Sequence, residues 1–263
     1  MTIPKIFKQA FHRLTLGGFR NQVLAEQKAA RARMDQLYDQ LFLNNPVLLL
    51  PGVKIFLPLF YVDHIQKSIY ETRNFYEIDT LEFLRLHYRH FGSIAEVGAN
   101  IGNHVLYYCS QLSAEKVYCF EPGKFSLETL KQNIAINYLE DRVTVYPIAL
   151  GSKNGNGQQT GFRLANTGMN RVHATEGESG GTAVEIRTLD SFAFDKLDFL
   201  KIDVEGAERD VLEGATETIA RCKPVILVEV FDENLQHIRQ WMEDRGYQKL
   251  IQLGLHNQLF VPV

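Results

Sequence analysis

The chain has 263 residues, 45% apolar and 22% charged, with a net charge of −3. That balance suits a soluble globular chain of one large domain, or one domain plus an appendage, and no apolar run reaches the ~20 residues of a membrane span. The three cysteines are scattered without a C-x-x-C pair, so reduced thiols and a cytoplasmic setting are expected, and nothing points to a nucleic-acid partner.

Charge is unevenly spread. Residues 1–33 hold seven Lys/Arg and one acid, Glu26, which leaves 21 basic and 30 acidic residues for the remainder. Apolar positions Phe7, Phe11 and Leu14, then Met34, Leu37, Tyr38, Leu41 and Phe42, recur at helical spacing, which predicts helix over 5–43. Residues 1–45 are therefore read as a basic helical extension and 46–263 as the main domain. The extension offers a solvated face, a homodimer contact or docking of residues 1–40 on an anionic membrane. Its composition also fits a mitochondrial transit segment.

Residues 47–75 are Pro-punctuated and read as a short hairpin over the core. Residues 78–90 predict a helix capped by Asp79 or Thr80. From 93 onward short apolar runs at 93–97, 116–120, 143–149, 197–202 and 224–230 alternate with helical stretches at 102–112, 124–138, 207–221 and 233–245. That alternation predicts a doubly wound, mostly parallel α/β sheet. Residues 247–253 and 257–262 read as an antiparallel hairpin at one sheet edge. Between them and the first strands lies 151–181, long, polar and Gly-rich, read as a functional or disordered loop.

The segment 96–104, EVGANIGNH, follows a strand and opens a helix. Gly98 and Gly102 allow a sharp turn and close approach to a ligand. The next strand ends in Phe120-Glu121-Pro122, placing an acid where a nucleotide's ribose hydroxyls would be held. The spacing Gly98-x-Asn100-x-Gly102 followed by Asn103 lacks the third glycine of a dinucleotide loop, and no G-x-x-x-x-G-K-[ST] is present. S-adenosylmethionine has no phosphate to cradle, and Glu96 supplies negative charge for its sulfonium. An NAD-dependent oxidoreductase and a non-catalytic binding module on the same fold are the alternatives.

A second constellation is DFLKIDVEG at 198–206. Strand alternation sends Lys201, Asp203 and Glu205 to one side at the strand's carboxyl end, where open α/β sheets bind ligands. Glu205 could instead complement the next helix N-terminus. Glu229, in VEV, is either functional or ion-paired, since a lone carboxylate in a buried strand is costly. Asp203, Glu205 and Glu229 are the catalytic candidates, with His104 and His173 as further bases. The three acids could also gather a hard cation such as Mg²⁺, though no ligand-rich loop calls for one.

Together EVGANIGNHVLYY, CFEP, TLDSF, DFLKIDVEGAERDVLEGA and ILVEV resemble the FkbM family of S-adenosylmethionine-dependent methyltransferases over about residues 75–253. The resemblance implies a Rossmann-like fold and O-methylation of a hydroxyl on a sugar, glycolipid or natural product. It places Gly98, Asn100, Gly102 and Glu121 at the cofactor, and Asp203, Glu205 and Gly206 near the transfer site. Glu96 stands where many members have Asp. The first 45 residues match no part of the family pattern.

Overall fold

Apolar runs too short to form buried helices pair side by side once their helices cover both faces, and that is the arrangement in the computed structural model. It describes residues 20–29, 33, 45–88, 90–160, 171–173 and 181–263. Two compact units make up the chain, Met1–Pro46 and Val47–Val263. In the first, residues 20–29 and 33 are helical, and the expected apolar stripes at 7–14 and 34–42 lie outside the described residues.

In the second unit the strands are β1 (Val47–Leu50), β2 (Val53–Phe56), β3 (Ser93–Val97), β4 (Lys116–Phe120), β5 (Val143–Tyr146), β6 (Ala149–Leu150), β7 (Gly155–Thr160), β8 (Arg171–His173), β9 (Thr182–Arg187), β10 (Phe199–Ile202), β11 (Val225–Glu229), β12 (Tyr247–Leu253) and β13 (Asn257–Pro262). The helices are α1 (His64–Thr72), α2 (Ile78–His87), α3 (Asn103–Gln111), α4 (Lys124–Ala135), α5 (Glu208–Glu213), α6 (Thr216–Cys222) and α7 (Asp232–Glu243).

Seven strands form the main sheet in the order β12-β13-β11-β10-β3-β4-β5. The chain starts at the centre with β3, runs outward to β5, then returns to β10 and continues the other way. The order therefore reverses between β3 and β10, and the crevice at that reversal is where such sheets take ligands. β10 pairs in parallel with β3 and β11, whereas β13 is antiparallel to both β11 and β12. The C-terminal hairpin thus inserts its second strand, and edge strand β12 runs with the parallel set. β3 and β10 are buried along their whole length, as expected for central strands covered on both faces. Among the described residues no helix is long and apolar enough to cross a membrane.

Five sequence expectations change. Of 47–75 only 47–56 forms the hairpin; His64–Thr72 is a helix, with the Asp63 side chain accepting the Gln66 amide at its start. The 143–149 run stops at Tyr146, because Pro147 has no N–H to continue a ladder; Ala149–Leu150 then joins a second sheet. Part of 151–181 is strand rather than loop: β7 pairs with β8 and β9, and the order of this small sheet is β6-β9-β7-β8. Backbone pairing organises its polar Gln158, Gln159 and Thr160 without any apolar alternation to betray it. The helix after 78 is preceded by Glu77 at φ 55, in place of a cap at Asp79 or Thr80, and ends at His87. The 207–221 stretch breaks at Gly214 into α5 and α6.

Candidate active site

β3 ends against β10 so closely that a side chain at residue 98 cannot exist. A Cβ on Gly98 would lie 1.8 Å from the Asp203 carbonyl oxygen, and its φ is +84°. From there the Gly98 and Ala99 amides donate to the Phe120 carbonyl at 2.9 and 3.2 Å, folding the loop over the end of β4. Asn100 takes φ 46° and Gly102 precedes α3 at φ 87°. Glu121, buried just past β4, closes the loop: its two oxygens accept the Asn100 amide at 2.8 Å and the Gly123 amide at 2.7 Å. Burial pushes its carboxyl up to about 7 against the lowering by those two bonds.

A cavity of about 420 Å³ opens here, lined by Gly98, Asn100, Glu121, Asp203, Glu205 and Glu229 among others. Phe120, Ile148 and Phe231 add apolar wall, and Gln159 and Val172 contribute from the small sheet. The Asn100 Oδ1 is buried without a partner, an acceptor that a ligand's N–H could satisfy.

Beyond this wall lies a buried network of charges. Lys201 is 0% exposed and its Nζ lies 2.9 Å from Asp203 Oδ2. Burial alone would lower the Lys201 pKa, but Asp203, Glu77, Glu96 and Glu229 together raise it. Burial would raise Asp203, and the Lys201 charge and the hydrogen bond with Glu229 overcome it, holding the carboxyl well below the usual range. Glu229 goes the other way, pushed up by burial and by Asp203. In the second arm, His104 Nδ1 is 3.0 Å from Glu96 Oε1 and its Nε2 is 3.3 Å from Glu77 Oε2. Burial opposes its charge, yet these two carboxylates raise it to about 9. Tyr108 donates to Glu96 Oε2 at 2.8 Å. Four carboxyl groups, Glu77, Glu96, Asp203 and Glu229, surround two cationic side chains, His104 and Lys201, a balance that suits a positively charged ligand.

Of the expected site residues, Gly98, Asn100, Glu121, Asp203, Glu205 and Glu229 line one cavity. Glu96 lies behind the wall, held by His104 and Tyr108. Asn103 faces away: its Oδ1 accepts the Tyr76 amide at 3.0 Å and its Nδ2 donates to the Tyr76 carbonyl at 3.1 Å. Gly102 shapes the loop's exit into α3. Glu208 is the acid at the start of α5, and it accepts the Gly206 amide at 2.8 Å. The side chain of His173 lies outside the described residues. Sequence reasoning missed His64, Tyr76 and Glu77, which also line the cavity. Glu77 is brought there by a left-handed turn and by Asn257, whose Nδ2 donates to it at 2.7 Å across 180 residues of sequence. No local pattern carries such a contact.

The family model described as "Methyltransferase FkbM domain" matches residues 96–249. Among curated proteins the chain is similar to methyltransferase sdnD of Sordaria araneosa, at 27% identity over 59% of this chain and 73% of that one. It is 26% identical to 2-O-methyltransferase NoeI of Sinorhizobium fredii, covering 54% of this chain and 64% of the relative. To hexuronic acid methyltransferase AglP of Haloferax volcanii it is 29% identical, covering 50% of this chain and 53% of the relative. The chain thus spans less than two thirds of the last two.

Proposed function

The chain belongs to the FkbM family of methyltransferases, and on that premise we propose that it moves the methyl group of S-adenosyl-L-methionine to a hydroxyl of a sugar, glycolipid or natural product. The donor brings an already activated methyl group on a sulfonium, which leaves alignment and water exclusion to the protein. Glu121 is assigned to the ribose hydroxyls, and Gly98 and Asn100 to the amino-acid tail. Gly102 and Asn103 hold the loop and its neighbour in place, and Glu96 acts through its charge from behind the wall. Asp203, Glu205 and Glu229 receive the acceptor's hydroxyl and its proton, under the cover of β7 and β8. The hydroxyl acceptor draws support from the name of 2-O-methyltransferase NoeI, and the sugar reading from that of hexuronic acid methyltransferase AglP. Contact of residues 1–40 with an anionic membrane or a second copy belongs to the same proposal.

The observation that carries it is the gathering of Asp203, Glu205 and Glu229 in one cavity with an unpartnered Asn100 amide oxygen at the β3–β10 reversal. Calorimetry is the test. S-adenosylmethionine should bind and NAD should not, and Glu121→Ala should weaken binding by ~1–3 kcal/mol, the cost of hydrogen bonds to a charged group. Unchanged affinity in that variant removes the ribose assignment; no binding of the donor to the native chain removes the function.

A further inference from the structure

Asp203 follows β10 and Glu229 ends the neighbouring parallel β11, one step past the Ile202–Val228 pair, and both line the same cavity. Two carboxyl groups held side by side in a buried site share one proton more readily than both ionise. Lys201 decides which: its ammonium, 2.9 Å from Asp203, keeps that group ionised, so the proton sits on Glu229. The surroundings of Glu229 agree. Burial, Asp203 and Glu77 all favour the neutral acid, and Lys201 opposes them. Tyr76 precedes Glu77 in the wall, Glu205 lies beyond Asp203, and Asn257 faces Glu229 across the β11–β13 pair with His256 beside it. Glu96 and His104 complete the charges from β3 and α3, and neither lines the cavity.

We propose that Glu229 loses this proton when the cationic methyl donor binds and keeps it when the neutral thioether product is bound, so that the base exists only in the loaded site. The inference rests on the methyltransferase reading above. A positive charge brought close to a carboxyl favours its ionised form. On binding, the Glu229 O–H bond breaks and the proton passes to solvent. During transfer, Glu229 takes the acceptor's hydroxyl proton while the acceptor oxygen bonds to the methyl carbon and the carbon–sulfur bond breaks, its electron pair staying on sulfur. Glu229 ends neutral beside a neutral product, ready for the next donor.

The test needs no acceptor. The full chain is titrated at pH 7.0 with S-adenosylmethionine and separately with S-adenosylhomocysteine, in phosphate and in Tris, whose ionisation heats differ. The donor should release roughly one proton more than the product, and its affinity relative to the product should rise up to about tenfold per pH unit above 6. Protons linked to Glu121 or to the shared amino-acid tail enter both titrations. Glu229→Gln should erase the difference. Equal proton counts for the two ligands overturn the inference, and so does a difference that survives in Glu229→Gln, which would assign the proton to His104. Should that variant not fold, the native comparison decides alone. If neither ligand binds, the methyltransferase reading itself falls.

Discussion

Asp203 shows how little of a residue's chemistry is contained in its identity. As the last acid of K-I-D it is one of many carboxylates at a strand end; in the fold it is ion-paired to a fully buried lysine and sits beside Glu229, which lines the same cavity. Replacing it by Asn keeps the volume and removes the charge that Lys201 needs. We expect Asp203→Asn to retain donor binding, to lower turnover by roughly 10²–10⁴ and to lose stability, because it leaves a buried ammonium without its counter-ion. Binding by calorimetry and single-turnover transfer separate the two effects, and full activity would take Asp203 out of the mechanism. Gly98, Glu121 and Asp203 were legible in sequence because each follows directly from a strand whose end the pattern locates. Glu77 was not, since its place depends on a turn at φ 55 and a partner in β13.

Elements are joined under the site by His104. It sits in the first turn of α3 and bridges Glu96 of β3 to Glu77 at the head of α2. Its pKa rises from the ordinary 6.5 to about 9 in the folded chain. Below about 6.5 both folded and unfolded chains carry this proton and the bridge contributes its full stability. Between 6.5 and 9 only the folded chain holds it, so stability falls as pH rises, by up to ~1.4 kcal/mol per pH unit. Denaturation midpoints measured from pH 6 to 10 should show this decline, and His104→Gln should make it shallower by about one proton's slope, the remainder coming from Glu229 and Glu121, whose carboxyls burial also raises. A variant with the native slope would mean that the imidazole is neutral in the fold. The elements themselves were mostly foreseen from period and punctuation. The small β6–β9 sheet was not, because its strands are polar and pair through backbone groups that every residue possesses.

At the scale of the whole molecule, every described residue that lines the cavity belongs to Val47–Val263. We therefore propose that the extension is dispensable for the cofactor: deleting residues 1–40 should leave donor affinity unchanged while altering either the mass in solution or retention on anionic vesicles. A truncated chain that fails to fold, judged by circular dichroism and gel filtration, would put the domain boundary elsewhere. By itself the sequence determined the parallel α/β class and placed the glycine loop at 96–104 and the acids at 121, 203 and 229 at strand ends, where they line one cavity, since strand period and glycine spacing are local properties of the chain. Only the tertiary structure decided how these groups are paired. Groups on other strands and helices favour the charged forms of Lys201 and His104 and push the Glu229 carboxyl up, since the field at a buried site is a sum over neighbours in space rather than in sequence.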